Sequence, residues 1–394
     1  MTAADSTPPV EPPEGRDPVA EDPAAQPPEP DLPGAGQPLE PLSHSRRIDA
    51  RWASDDTEAA TIADELRRLE TTRTPDGSSV APARALTFIV LVDPDHDDEV
   101  RGQLKALGTQ RASRTIVIRR FPDRTTLGGR AAVIQDDAIG NGLRETIVLD
   151  VGPEDEMDLD GILDPLVITD VPSVAWVPQG DPRLLMLLRQ IVQTVIIDGD
   201  AAASVREALD DSRALREVGM RTIDMAWLRS APWRVRLASL AQMPAFREQL
   251  RDLETVEIET RPDSRVCGAL LAGWLGHRLG WQSGPPLLDA SRRRVVAQLR
   301  DVDQPLPGLA GLTLTYRDGG SRRLSRGPGG LKITDVSPEG ETVERTVLGA
   351  SRGGSGLLPS AMRQVLLPDE LDEEVLTATA SLDRARVLKQ VVAE

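Results

Sequence analysis

The sequence predicts an α/β protein: two α/β layers with a mixed sheet and an antiparallel C-terminal β portion, preceded by a disordered tail. Three observations lead there. Short apolar, β-branched runs alternate with helical stretches from about Thr57 to Trp281. Beyond Ser291 the rhythm changes to short runs separated by turn chemistry at Asp318-Gly319-Gly320 and Pro338-Glu339-Gly340. Ahead of both, Met1 to Pro41 is mostly Pro, Glu, Asp and Ala and holds 12 of the 32 prolines. That stretch has too little apolar surface to offset the entropy of ordering it. The expected organisation is a tail over 1–46, an N-terminal α/β domain over 47–160 and a C-terminal α/β domain over 161–394. Antiparallel strands are expected near 311–348 in the latter.

Each element has its own signal. Ile62, Leu66 and Leu69 fall at helical spacing in a short helix from Thr57 to Leu69. Ala85–Val92 is apolar almost throughout, as in a strand buried on both faces. A helix over Val100–Leu107 and strands at Thr115–Ile118 and Glu145–Leu149 follow. Pro165–Val171 reads as a strand stopped by Pro172, and Val174–Val177 as a second stopped by Pro178. Arg183–Val192 reads as a helix and Thr194–Ile197 as a strand ending in Asp198-Gly199-Asp200, with Asp200 capping a helix through Val205 and Leu209. Two helices then meet at a tight corner, Thr222–Arg229 and a second capped by Ser230 with Pro232 in its first turn. After a strand at Val256–Glu259 comes the clearest helix, capped by Asp263 or Ser264 and ended by Gly280. Its small residues Ala269, Ala272, Gly273 and Gly276 are expected to press against a sheet. Gly311–Tyr316, Arg322–Leu324, Leu331–Ile333 and Thr342–Val347 read as antiparallel strands. A glycine-rich loop at Ser351–Gly356 and helices near Glu370–Thr377 and Asp383–Val392 close the chain.

Composition excludes several classes of function. There are 46 basic and 63 acidic side chains, a net charge of −17, which repels phosphate backbones and anionic membranes. No nucleic-acid or membrane partner is therefore expected. The single cysteine, Cys267, permits neither an internal disulfide nor a four-cysteine metal site. Near Met1 no basic stretch precedes an apolar core, and no apolar run approaches spanning length, so a soluble cytoplasmic protein is expected.

Catalytic signatures are missing from the sequence. It has no glycine-lysine phosphate loop, and no glycine-rich dinucleotide fingerprint follows a strand. Around Ser355 the serine-elbow spacing fails, because Leu357 stands where the second glycine belongs. His44, His96 and His277 are too far apart for a paired-histidine metal motif. Asp93-Pro94-Asp95-His96-Asp97-Asp98-Glu99 suits a solvated loop entering a helix N-terminus better than a cation site. Glu156, Asp158, Asp160 and Gly161 imitate the start of a calcium loop, but Val167 at its twelfth position cannot ligate. Asp170 and Asp198, at the expected C-terminal ends of strands, are placed either to hold a ligand or to cap the following turn. No catalytic residue, metal ligand or cofactor is assigned.

Three tryptophan-rich blocks carry a resemblance. Pro165 to Trp176 resembles a Pro-Leu-Leu-x-x-Asp-Leu-Pro-x-x-x-Trp run; Asp224, Trp227, Arg229, Pro232, Trp233 and Arg234 match a second; Leu270 to Trp281 matches a third almost completely. In this order they resemble the OpcA family, the glucose-6-phosphate dehydrogenase assembly proteins, over about Arg47 to Leu348. Gln110–Val117 resembles a further family stretch. The chain departs from the pattern at Val177, where a second tryptophan is common, and at Met225 and Ser230, where leucines are commoner. The resemblance implies a non-catalytic partner of glucose-6-phosphate dehydrogenase. Such a partner favours the dehydrogenase's active arrangement, and with it entry into the pentose phosphate pathway of carbohydrate metabolism. Family members controlled through cysteine pairs have no counterpart here, since Cys267 is alone. Aromatic and arginine anchors dominate interfaces, so the partner-binding candidates are Trp176, Trp227, Trp233 and Arg234, with Asp170 and Asp198 as polar neighbours. A sugar-phosphate-binding enzyme and a pure scaffold are the alternatives.

Overall fold

The computed structural model describes residues 49–71, 85–107, 113–136, 142–178, 182–327, 330–348, 357–365, 367 and 371–392. The expected tail over 1–46 and the Ser351–Gly356 loop lie outside these residues.

The first sheet has eight strands: β1 (Asp49–Ser54), β2 (Leu86–Val92), β3 (Ser113–Arg120), β4 (Gly128–Asp136), β5 (Gly142–Val151), β6 (Ser173–Trp176), β7 (Thr194–Ile197) and β8 (Arg221–Asp224). Their order is β1-β4-β5-β3-β2-β6-β7-β8. From β5 across to β8 every pairing is parallel, whereas β4 runs antiparallel to β5 and β1 antiparallel to β4. Ranked by their place in the chain, the six parallel strands read third, second, first, fourth, fifth, sixth. That is the order of doubly wound dinucleotide-binding sheets, with the winding reversing between β2 and β6. The expected boundary at 160/161 falls between β5 and β6, inside this continuous sheet.

Both faces of the sheet are covered. β2 is buried at every position. Helix α1 (Ala59–Glu70) lays Ile62, Leu66 and Leu69 over Ile116 and Ile147, and α2 (Asp97–Leu107) sets Val100 with Phe88, Val90 and Trp176 on the other side. After β5 come the short helices α3 (Pro153–Glu156) and α4 (Leu159–Leu163), then the turn into β6. Helix α5 (Val205–Glu217) connects β7 to β8.

Helices α6 (Met225–Leu240) and α7 (Pro244–Arg251) lead to the second sheet. Its strands are β9 (Leu253–Thr260), β10 (Val296–Asp301), β11 (Leu309–Tyr316), β12 (Ser321–Gly327), β13 (Gly330–Val336), β14 (Thr342–Leu348) and β15 (Leu388–Val392), ordered β14-β13-β12-β11-β9-β10-β15. The run from β11 to β14 is an antiparallel meander, as expected, while β10 lies parallel to both β9 and β15. Helix α8 (Arg265–Leu279) covers this sheet together with α10 (Glu373–Arg384), whereas α9 (Leu357–Gln364) returns to the first sheet and packs its Leu358 and Met362 into the core of Phe88 and Trp176. The small residues of α8 serve two neighbours. A side chain at Gly268 would meet Ile258, Thr260 and Leu299 of the sheet, and one at Gly273 would overlap the Thr379 hydroxyl of α10. Among the described residues no helix is long and apolar enough to cross a membrane.

Four expectations are corrected. Pro165–Val171 is not a strand: the N–H groups of Leu166 and Val167 bond back to the Leu163 carbonyl at 2.8 and 3.0 Å, prolonging the end of α4 as a turn. Arg183–Val192 is a 3₁₀ segment over Pro182–Leu188 followed by turns. The expected helix over Thr222–Arg229 starts instead as the end of β8 and becomes helical only at Met225, and the corner at Ser230 does not exist, because α6 runs through Pro232. Within it Ser230 Oγ and Arg234 Nη2 both donate to the Trp227 carbonyl, at 2.8 and 3.3 Å, next to the Leu228 carbonyl that Pro232 leaves without its helical donor. At the other end of the chain the expected helix over Asp383–Val392 is the end of α10 followed by β15.

Candidate functional site

In a doubly wound sheet, ligands bind outside the carboxyl ends of the strands where the winding reverses. Here that place is the ends of β2 and β6, with the ends of β3 and β5 beside β2. The chain leaves β2 through Asp93 into a 3₁₀ turn at Pro94–His96 and enters α2 with Asp97, Asp98 and Glu99 in its first turn. A helix N-terminus there is the usual seat of a pyrophosphate. Its own carboxylates already answer the partial positive charge of this one. From the end of β3, Arg119 grips Asp150 at 2.6 and 2.8 Å and reaches Asp97 at 3.2 Å. Arg120 pairs with Glu156 at 3.1 Å and Asp93 at 3.2 Å, and Arg130 joins Asp150 at 2.7 Å. Carboxylates thus stand where a phosphate would lie, and they disfavour the pyrophosphate of a dinucleotide there. The acidic run from Asp93 to Glu99 takes the form expected of it, a loop entering a helix N-terminus.

A second cluster sits at the carboxyl ends of β7 and β8. Arg229 of α6 grips Asp198 with both terminal nitrogens, at 2.5 and 2.6 Å, and reaches Asp200 at 3.0 Å. The other oxygen of Asp200 accepts the N–H of Cys267, in α8, at 2.9 Å. Asp224, the last residue of β8, accepts the N–H of Gly199 at 3.0 Å and caps α6 by accepting that of Ala226 at 2.7 Å. Four segments of the chain are thereby joined. Burial pushes the Asp200 carboxyl up to about 7 against the pull of Arg229, and pushes Asp224 up to about 6. Burial also works against the charge on Arg229, but Asp198 and Asp200 outweigh it and hold its pKa above the ordinary value. The Cys267 thiol is raised well above its usual range, first by burial and then by the charge of Asp200. It is therefore a protonated core residue rather than a nucleophile. The cluster stores charge and fixes geometry. Among the described residues no group of three or more His, Cys, Asp or Glu side chains is arranged to hold a metal ion.

The six residues singled out in the sequence do not form one surface. Trp176 is 1% exposed and stacks on Phe88, with centroids 6.2 Å apart and planes 8° from parallel. Trp233 is equally buried in the second core, and Trp227 is buried under the Arg234 guanidinium, which lies 3.3 Å from its ring centroid. Arg234 is itself buried, its Nε donating to Ser230 Oγ at 2.9 Å. Asp198 belongs to the charge cluster and also caps the 3₁₀ turn after β7, accepting from the Asp200 N–H at 3.1 Å. Asp170 is exposed and precedes β6, so it lies at the amino ends of the parallel strands, opposite Asp198. Its expected place at a strand's C-terminal end fails because Pro165–Val171 is a turn. Asp200 was also expected elsewhere, as a helix cap; Ser204 caps α5 instead, accepting from the Glu207 N–H at 3.1 Å. Sequence reasoning did not single out Arg229 beyond its place in a motif, nor Asp224. Their signal was a lone arginine five residues past an aspartate.

Comparison with known proteins supplies the family. Residues 104–214 match the OpcA model described as the glucose-6-phosphate dehydrogenase subunit N-terminal domain. Residues 220–380 match the corresponding C-terminal domain. No curated protein matches the chain. Among solved structures it is similar to the YvaA oxidoreductase of Bacillus subtilis, at 11% identity and a TM-score of 0.40 over 77% of this chain and 95% of that one. It is also similar to the biliverdin reductase of Synechocystis, at 13% identity and a TM-score of 0.39 over 77% and 99%. A third is a super-repressor mutant of Gal80p from Saccharomyces cerevisiae, at 8% identity and a TM-score of 0.44 over 77% and 96%. Similarity this weak assigns no activity. With both of its domains matched, in order, across residues 104–380, the chain belongs to the OpcA family of glucose-6-phosphate dehydrogenase assembly subunits.

Proposed function

We propose that the chain is a non-catalytic assembly subunit and activator of glucose-6-phosphate dehydrogenase, acting in the cytoplasm at the entry to the pentose phosphate pathway. Membership of the family carries this reading. The carboxylates Asp93, Asp97, Asp150 and Glu156 at the winding reversal support it, because they disfavour the phosphates that a dinucleotide-dependent enzyme would bind there. An activator shifts its target only by binding the active arrangement more tightly than the inactive one. By linkage, if it raises the affinity for glucose 6-phosphate, it binds the dehydrogenase more tightly when that substrate is present. Of the six candidates, Asp170 is exposed and Asp198 partly so, at opposite ends of the parallel strands, while Trp176, Trp227, Trp233 and Arg234 are buried and act on docking only through the fold.

The test is a titration of the dehydrogenase from the same organism with this protein. NADPH production is followed over a range of glucose 6-phosphate, with gel filtration in parallel. Co-elution with a saturable change in substrate affinity or turnover is expected. Co-elution with unchanged kinetics would leave a scaffold, and neither effect would refute the reading.

A further inference from the structure

The most complete of the three sequence motifs, Leu270–Trp281, is only half explained by packing. As far as Leu275 it is almost entirely the buried spine of α8. Its end turns outward. Gly280, at φ 66°, takes the left-handed conformation that ends the helix, and the Trp281 N–H returns to the Gly276 carbonyl at 2.8 Å. The indole thereby lies against the bare backbone of Gly276, where an added Cβ would sit 3.2 Å from Trp281 Cε3. Half-buried, the rest of the Trp281 side chain walls a cleft of about 600 Å³ between α8 and α10. Ligand pockets commonly have this size. Glu373 and Glu374 of α10 line it, with the hydroxyls of Thr377 and Ser381; His277 is the one lining side chain able to carry positive charge. Glu373 is engaged by Arg213 at 3.4 Å, while Glu374 stands exposed.

We propose that this cleft receives an arginine or lysine side chain of the dehydrogenase oligomer; the inference rests on the function proposed above. An aromatic face attracts a cation through its quadrupole. Carboxylates at the mouth supply charge-assisted hydrogen bonds to the same group. The apolar lining from Leu382 and Ala378 suits the methylene stem of a basic side chain. The net charge of −17 steers a basic patch toward this protein and repels an acidic one.

The experiment measures the affinity of the full chain for the dehydrogenase, for the wild type and three variants, at low and high salt. Glu374→Arg is the deciding variant, since it reverses an exposed charge without touching the core. It is expected to weaken binding about tenfold, and Trp281→Ala at least as much, with the wild-type interaction falling as salt rises. Glu339→Arg, an exposed reversal of equal charge in the turn between β13 and β14, is expected to leave the affinity unchanged. Wild-type affinity in Glu374→Arg would overturn the cleft while leaving the proposed function standing. Equal weakening by Glu339→Arg would overturn it too, by tracing the effect to net charge. Absence of wild-type binding would overturn the functional reading and this inference with it.

Discussion

Replacing Arg229 with methionine keeps the length of the side chain and removes its charge. In the folded chain Arg229 holds two carboxylates, Asp198 through both terminal nitrogens and Asp200 at 3.0 Å, with only 12% of its side chain exposed. At 4 Å and an effective dielectric constant near 20, each such pair is worth about 4 kcal/mol of Coulomb energy. Burial has already taken most of this back. What remains on removing one partner is an uncompensated buried charge, which costs about 3–5 kcal/mol. Arg229→Met should therefore lose about that much stability at pH 8 in urea unfolding followed by tryptophan fluorescence. The loss should shrink toward pH 5.5. Asp200 and Asp224, pushed up to about 7 and about 6, then accept protons in the folded state and no longer present bare charges. Equal stability of variant and wild type at pH 8, or a loss that stays constant between pH 8 and 5.5, would refute the cluster's role.

The wild-type chain carries its own pH signature. The folded-state value of Asp200 lies above its ordinary 3.8, so the stability it contributes is complete below that value and lost as pH rises through about 7. Asp224 acts likewise up to about 6. The slope is limited to about 1.4 kcal/mol per pH unit for each group, and Asp200→Asn should flatten it in the same urea titrations. Gly273→Ala should lower the thermal midpoint, with a cost of about 1–3 kcal/mol or more, because the added methyl overlaps Thr379 in α10. Gly102→Ala, with nothing near its Cβ position, should not. Trp176→Ala should cost about 3–5 kcal/mol by emptying the space beside Phe88. Asp170→Ala should stay within about 0.5 kcal/mol, and calorimetry of the pair separates core from surface.

The parallel strands were the most legible part of the sequence, and for a physical reason. β2, β3, β6 and β7 are buried on both faces or nearly so, and their composition is uniform enough to stand out. The antiparallel end of the first sheet announces itself poorly. β4 opens with two glycines and the edge strand β1 alternates exposed and half-buried residues, so neither reads as a strand until paired. β15 looked helical because Leu388, Val391 and Val392 also fit a helical face; only its parallel pairing with β10 decides the matter. Pro232 seemed to start a helix because proline favours the first turn, whereas here it is carried inside α6. The tryptophans misled in another way. Burial and interface anchoring draw on the same side chains, and a sequence without its partners in space does not separate them. The absence of a dinucleotide fingerprint was legible; the dinucleotide-type strand order was not, because it depends on which strands become neighbours.

Asp224 is both the final residue of the first sheet's last strand and the cap of the helix leading to the second, with no spacer between them. Its carboxylate also holds Gly199, and its neighbours Asp198 and Asp200 reach α6 and α8. A hinge needs a few residues free to change φ and ψ, and this junction supplies none. The same few carboxylates thus tie the last strand of the first sheet to α6 and α8, so the route between the sheets runs through buried charge rather than through a loop.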